Sequence, residues 1–196
     1  MRSLALAVSA GSDAHGVAFN YSNYNAMLLG LILERATHRS VAQYLQEKIW
    51  QPLGMEYPAS WSLDSTQSGF EKMAMGLNAR AIDFAKFGQL YLDNGRWNGK
   101  QIIPAAWVSE STTPDPTDNR PWRGTTVWKQ ANGYYKYLWW GRKRPDGSYV
   151  YMARGNVQQF VYVSPSDHVV IVRLGLVDRS ADWWPDVFQS VIANLK

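Results

Sequence analysis

The hydrophobic pattern of this chain changes period about two-thirds of the way along, and that change limits the folds open to it. Up to about residue 111 apolar side chains recur at helical spacing; after about residue 133 they crowd into short runs rich in β-branched and aromatic residues. Residues 25–35 read as a helix, with Met27, Leu28, Leu31, Ile32 and Leu33 at helical spacing and Glu34-Arg35 closing it. A second helix is expected from Ser40, a good N-cap, to Trp50, stopping before Pro52. Residues 56–76 carry Pro58, several serines and two glycines without a period, and read as a long surface loop. A helix over 81–93 ends at Asn94-Gly95, Asn98-Gly99-Lys100 makes a turn, and Pro104 opens a short helix over 105–111.

Four strands are expected after that, over 134–140, 149–152, 159–163 and 169–174. Pro145-Asp146-Gly147 joins the first two and Pro165-Ser166-Asp167 the last two, both as hairpin connections. A closing helix over 183–195 follows Asp182. Helices, then an antiparallel meander, then a helix, without βαβ alternation, give an α+β fold class. A mainly helical part over 1–126 and a strand-rich part over 127–196 are expected within one domain.

Composition removes several kinds of function. With no cysteine, disulfides, thiolate catalysis and cysteine metal sites are excluded. His15, His38 and His168 are far apart and show no metal-ligand spacing, so neither a metal nor any other cofactor is expected. The net charge of +4 comes from scattered basic residues. The densest cluster, Arg142-Lys143-Arg144, runs straight into a turn signal and reads as a solvated hairpin end, so nucleic acid is not an expected partner. Residues 1–10 hold the ingredients of a signal peptide, but the apolar run is short and one arginine is a thin basic region. They read as a helix ending near Gly11, and the compartment stays open between bacterial periplasm and cytoplasm.

The segment that carries chemistry is Tyr21-Ser22-Asn23, between a loop and the first strong helix. A tyrosine serves as a general base only where nearby cations lower its pKa from near 10, and an asparagine two residues on can hold a substrate amide or a catalytic lysine. Alone, Tyr-x-Asn is short enough to arise by chance, and Asn23 would then serve only to cap the helix. No G-x-S-x-G elbow occurs anywhere.

Context gives the motif its weight. Phe19-Asn20-Tyr21-Ser22-Asn23-Tyr24-Asn25 followed by Leu28-Leu29-Gly30 closely resembles the second motif of class C-type serine β-lactamases and their relatives: penicillin-binding carboxypeptidases, esterases and aminohexanoate-oligomer hydrolases. Pro52-Leu53-Gly54-Met55, Gly76-Leu77, Ala81 to Gly88, and Asn94-Gly95 through Lys100 continue the resemblance in order. Ala153-Arg154-Gly155-Asn156 to Val161-Tyr162-Val163-Ser164-Pro165 looks like the strand bearing the third motif, and the aromatic-rich tail leans towards the aminohexanoate-hydrolase and esterase branch.

The resemblance implies a β-lactamase/transpeptidase-like fold and a serine hydrolase that cleaves a small-molecule amide or ester through an acyl-enzyme. It casts Tyr21 as the proton-transfer residue and Asn23 as the group orienting the lysine or the substrate. Arg154, Gly155 and Asn156 fall in the third-motif region, whose strand would offer a backbone N–H to an oxyanion hole. Two departures stand out. No serine is followed by lysine three residues later, so the nucleophilic S-x-x-K is absent, and Arg154-Gly155-Asn156 replaces Lys-Thr-Gly. The expectation is therefore a C-terminal portion that contributes one wall of the cleft, is inactive alone, and needs an N-terminal segment of its parent protein, with the first strands of the sheet, as its partner. The alternative is a non-catalytic fragment or binding module that keeps the fold.

Overall fold

Met27 and Leu31, one turn apart on the first long helix, are both buried, and they set the core of the N-terminal unit. They cluster with Ala5 and Phe70, and Leu28, Met73 and Ala74 pack around them. The computed structural model describes residues 2–9, 11, 13–123, 128, 132–176 and 183–195. The chain divides into two units, 1–80 with 118–126, and 81–117 with 127–196. The expected change of character at 126–127, the end of the N-terminal run at Ala10, and Asp182 lie outside the described residues.

The first unit holds α1 (Arg2–Leu6), β1 (Phe19–Asn20), α2 (Asn23–Thr37), α3 (Val41–Leu45), β2 (Ser60–Trp61) and β3 (Leu77–Asn78). α2 begins two residues earlier than its apolar pattern suggests, because Ser22 caps it. It ends at His38, whose left-handed backbone (φ 55°) turns its N–H back onto the Glu34 carbonyl. Ser40 and Gln43 form a reciprocal capping box at the start of α3. The expected helix to Trp50 is continuous but widens into a π turn over Gln46–Trp50, where the Gln51 N–H reaches the Gln46 carbonyl. The stretch 56–76 is more than a surface loop. β2 pairs antiparallel with β3, Leu63 bridges Glu71, and the Phe70 ring is buried.

The second unit begins with α4 (Ala81–Leu92) and the hairpin of β4 (Arg96–Trp97) and β5 (Lys100–Gln101), closed by Asn98 and Gly99 at φ 46° and 79°. α5 (Ala105–Thr112) follows; β6 (Trp122–Arg123) returns to the first unit and pairs parallel with β1. The main sheet then runs as a meander of β7 (Gly133–Lys136), β8 (Trp139–Lys143), β9 (Tyr149–Gly155), β10 (Gln159–Ser164) and β11 (Val169–Arg173), each antiparallel to the next. α6 (Trp184–Ala193) closes the chain. This is the α+β architecture expected.

One difference is instructive. The run 134–140 reads as a single strand but is two, because Tyr137 and Leu138 take left-handed backbone (φ 44° and 72°) and reverse the chain. Neither residue type marks a turn, so the tight reversal was set by tertiary packing, not by local preference. Side-chain alternation along β8–β10 gives the sheet two different faces. Trp139, Tyr151 and Val163 pack with Tyr91, Leu92 and Val108 of α4 and α5. Gly88 lets α4 lie close, since a Cβ there would stand 2.6 Å from Val170 Cγ1. Phe160 and Tyr162 instead meet Phe188 of α6 at ring separations of 5.5 and 5.3 Å. The basic run at the end of β8 is not a solvated hairpin end: the Arg142 and Arg144 side chains are only 13% and 11% exposed and are paired with Asp186 and Asp167.

Candidate active site

The motif Tyr21-Ser22-Asn23 divides its work in a way the sequence left open. Ser22 is the N-cap, extended at φ −142°, with its hydroxyl accepting the Tyr24 N–H at 3.3 Å. Asn23 is therefore not the cap. It is the first helical residue, and its side-chain oxygen accepts a hydrogen bond from the Tyr21 hydroxyl at 3.0 Å. Both side chains are exposed, Tyr21 at 38%, within reach of a solvent-borne substrate.

The residues before the motif are anchored from a distance in sequence. Phe19 donates its N–H to the Pro121 carbonyl at 2.9 Å, and its ring lies 4.5 Å from that of Trp122 across the β1–β6 pair. Behind the motif, α2 is seated by Gly30, where a Cβ would stand 2.3 Å from Met73 Cγ. Tyr21 is thus held between a pinned strand and a packed helix.

Arg154, Gly155 and Asn156 lie where β9 turns into β10, in the second unit. Gly155 pairs with Gln159, and both Gly155 and Asn156 are exposed. Between them the chain does something costly: Val157 and Gln158 both take left-handed backbone, at φ 52° and 63°. For a β-branched residue that conformation is an outlier, and non-glycine residues lose about 1–2 kcal/mol there. Long-range bonds hold the turn. The Gln159 amide donates to the Gly175 carbonyl at 2.7 Å and accepts the Gly175 N–H at 2.9 Å, while Arg173 donates to the Gln158 carbonyl. The Arg154 guanidinium lies 4.9, 5.4 and 5.6 Å from the rings of Trp128, Trp140 and Phe160. That places a half-buried cation beside the turn, held by cation–π contacts.

Nothing beside them in the chain marks Val157, Gln158, Gln159 or Arg173 as functional. No glycine or asparagine marks positions 157 and 158, and the partners Arg173 and Gly175 lie about 15 residues on. Of the tryptophans, Trp128, Trp139 and Trp140 are buried, Trp183 is half exposed, and Trp184 stacks on it at 4.5 Å. Among the described residues no group of three His, Cys, Asp or Glu side chains is gathered as a metal would require.

Comparison with known proteins agrees with the order of these elements. The model of the Beta-lactamase family matches residues 5–177. The chain belongs to the Beta-lactamase family. Over 170 residues it is 27% identical to a 6-aminohexanoate-dimer hydrolase of Paenarthrobacter ureafaciens, a match that takes in 86% of this chain and 40% of that protein. A solved Bacillus anthracis structure, provisionally described as a 6-aminohexanoate-dimer hydrolase, superposes with a TM-score of 0.80 at 27% identity, over 94% of this chain and 46% of that one. A β-lactamase-like structure from Bacteroides dorei shares the fold at 18% identity, with a TM-score of 0.75 over 98% of this chain and 64% of that one. The chain thus spans less than half the length of the first two relatives. Its family is one of serine-hydrolase type, and the fold is the β-lactamase-like α+β architecture.

Proposed function

We propose that this chain is the C-terminal portion of a serine hydrolase that cleaves a small-molecule amide or ester, with Tyr21 as its proton-transfer residue. The observation that carries the reading is the 3.0 Å hydrogen bond from the Tyr21 hydroxyl to Asn23, at an exposed helix start whose capping is done by Ser22. A tyrosine and asparagine needed only for the helix would not have to be arranged in this way. The names of the relatives favour an amide, the bond that joins two amino acids in a dimer.

In this reading a serine outside these 196 residues attacks the substrate carbonyl and forms an ester acyl-enzyme, and water then releases it. Its partner lysine and Tyr21 pass the proton from the nucleophile to the leaving group, and Asn23 orients the lysine or the substrate amide. The β9–β10 turn, with Gly155 and Asn156, offers backbone N–H groups to the developing oxyanion, and Arg154 adds positive potential beside it. The strained backbone at Val157 and Gln158 supports this role, because such strain persists where the surroundings over-determine a working geometry.

The test is hydrolysis of p-nitrophenyl butyrate and of a linear aminohexanoate amide by three proteins: this chain, the chain extended upstream to include a Ser-x-x-Lys segment, and the extended chain with Tyr21→Phe. Turnover is expected only in the extended protein, falling about 10²–10⁴-fold in Tyr21→Phe. Serine-dependent turnover by the 196-residue chain would mean that a serine within it is the nucleophile. A fully active Tyr21→Phe variant would remove Tyr21 from the mechanism. The second reading, a non-catalytic module that keeps the fold, draws on the absence of S-x-x-K; it predicts no turnover in any of the three.

A further inference from the structure

The basic run Arg142-Lys143-Arg144 has no part in the proposed reaction, yet it is more deeply built into the second unit than surface charges need to be. Arg142 donates to Asp186 in the first turn of α6 at 2.8 Å, and its guanidinium lies 4.7 Å from the Trp128 ring. Arg144 binds Asp167 at 2.7 Å and Ser166 at 3.1 Å through one terminal nitrogen, and Ser164 at 3.2 Å and Tyr162 at 3.4 Å through the other. Asp167, 9% exposed, also takes the Ser164 hydroxyl at 2.6 Å. These bonds fix the guanidinium but leave its Nε–H buried, with no acceptor among the described residues.

Arg142, Arg144 and Asp186 wall a cavity of about 250 Å³, completed by Asn132, Lys143, Tyr162 and Gln189. Three cations meet one carboxylate in this wall, Asp186, and Asp167 is engaged by Arg144 behind it. Lys143 has no acidic partner among the described residues. The site therefore has positive charge in excess, amide and phenol donors around it, and a buried N–H in want of an acceptor. Leaving such a donor unmet is unfavourable, and an acceptor-rich ligand would offset that cost. A single concave site of this size suits a small ion, whereas a polyanion needs an extended basic stripe.

We propose that this cavity between the β8–β9 end of the sheet and α6 binds a small tetrahedral oxyanion, with inorganic phosphate as its probe. The anion bridges the basic run to Gln189 and so ties α6 to the sheet.

The experiment is thermal unfolding of the chain in inorganic phosphate from 0 to about 20 mM, at ionic strength held constant with sodium chloride, with acetate as a parallel arm and amide NMR shifts as a second readout. The expected result is a saturable rise in melting temperature with phosphate, with shifts centred on Asn132, Lys143 and Gln189. Gln189 is exposed on α6, so Gln189→Glu tests the charge without touching the core. It should weaken the apparent affinity about tenfold or more, and Lys143→Gln should weaken it several-fold. A phosphate response no larger than that to chloride overturns the proposal. So does an equal response in Gln189→Glu, or a response to acetate alone. None of these readouts depends on hydrolysis, so the result stands apart from the fate of Tyr21.

Discussion

The start of α2 and the turn between β9 and β10 carry the two candidate motifs of this chain, and they are built by opposite means. At the helix start two side-chain bonds each span two residues: Ser22 caps the Tyr24 N–H, and Tyr21 reaches Asn23. At the turn the backbone is unfavourable by itself, and bonds spanning about 15 residues keep it in place. A locally encoded motif survives wherever its helix forms. The turn exists only while the sheet around it is intact.

Alkaline pH should separate the two regions most strongly. Tyr91, Tyr134, Tyr151 and Tyr162, all in the second unit, have their phenol pKa values pushed up chiefly by burial. Above pH ~10 the unfolded chain loses these protons while the folded one keeps them, so stability that is full below pH ~10 drains away as pH rises, by up to about 1.4 kcal/mol per pH unit for each phenol. Chemical denaturation between pH 8 and 11.5, followed by tryptophan fluorescence, should show the sheet's stability falling from about pH 10. A flat profile would mean that these phenols are solvated.

Gly175→Ala should damage the turn next most. The added Cβ would stand 2.3 Å from the Val157 carbonyl oxygen, a backbone atom that cannot swing away, and the expected cost is about 1–3 kcal/mol in urea unfolding. Val157→Gly acts in the opposite direction. Releasing a β-branched residue from φ 52° should stabilise the chain by about 1 kcal/mol, while an enzyme that depends on the turn would lose activity. A destabilising Val157→Gly would show that the turn is not strained. At the helix start, Ser22→Ala should cost about 1 kcal/mol and Ser22→Gly only a few tenths. The smallest effect belongs to Tyr21→Phe, within about 0.5 kcal/mol in stability because the side chain is exposed, although it should abolish most turnover in the extended protein.

The basic run sharpens the contrast. By sequence alone Arg142-Lys143-Arg144 was a hairpin end like any other. In the fold, strand alternation brings Arg142 to α6, and the turn after β10 delivers Asp167 to Arg144. A charge's partner 20 or more residues away leaves no mark beside it in the chain.

The sequence by itself determined the order of the main helices and the meander, the cap at Ser40, and the Tyr21-Ser22-Asn23 motif. All of these follow from periodicity, turn chemistry and short-range hydrogen bonding, which neighbouring residues specify. The tertiary structure alone decided the reversal at Tyr137-Leu138, the left-handed backbone at Val157-Gln158, the π turn before Gln51 and the burial of Arg142 and Arg144. Each runs against local preference or depends on distant partners, and each is stable only once the packing of its own unit supplies the energy that a short segment lacks.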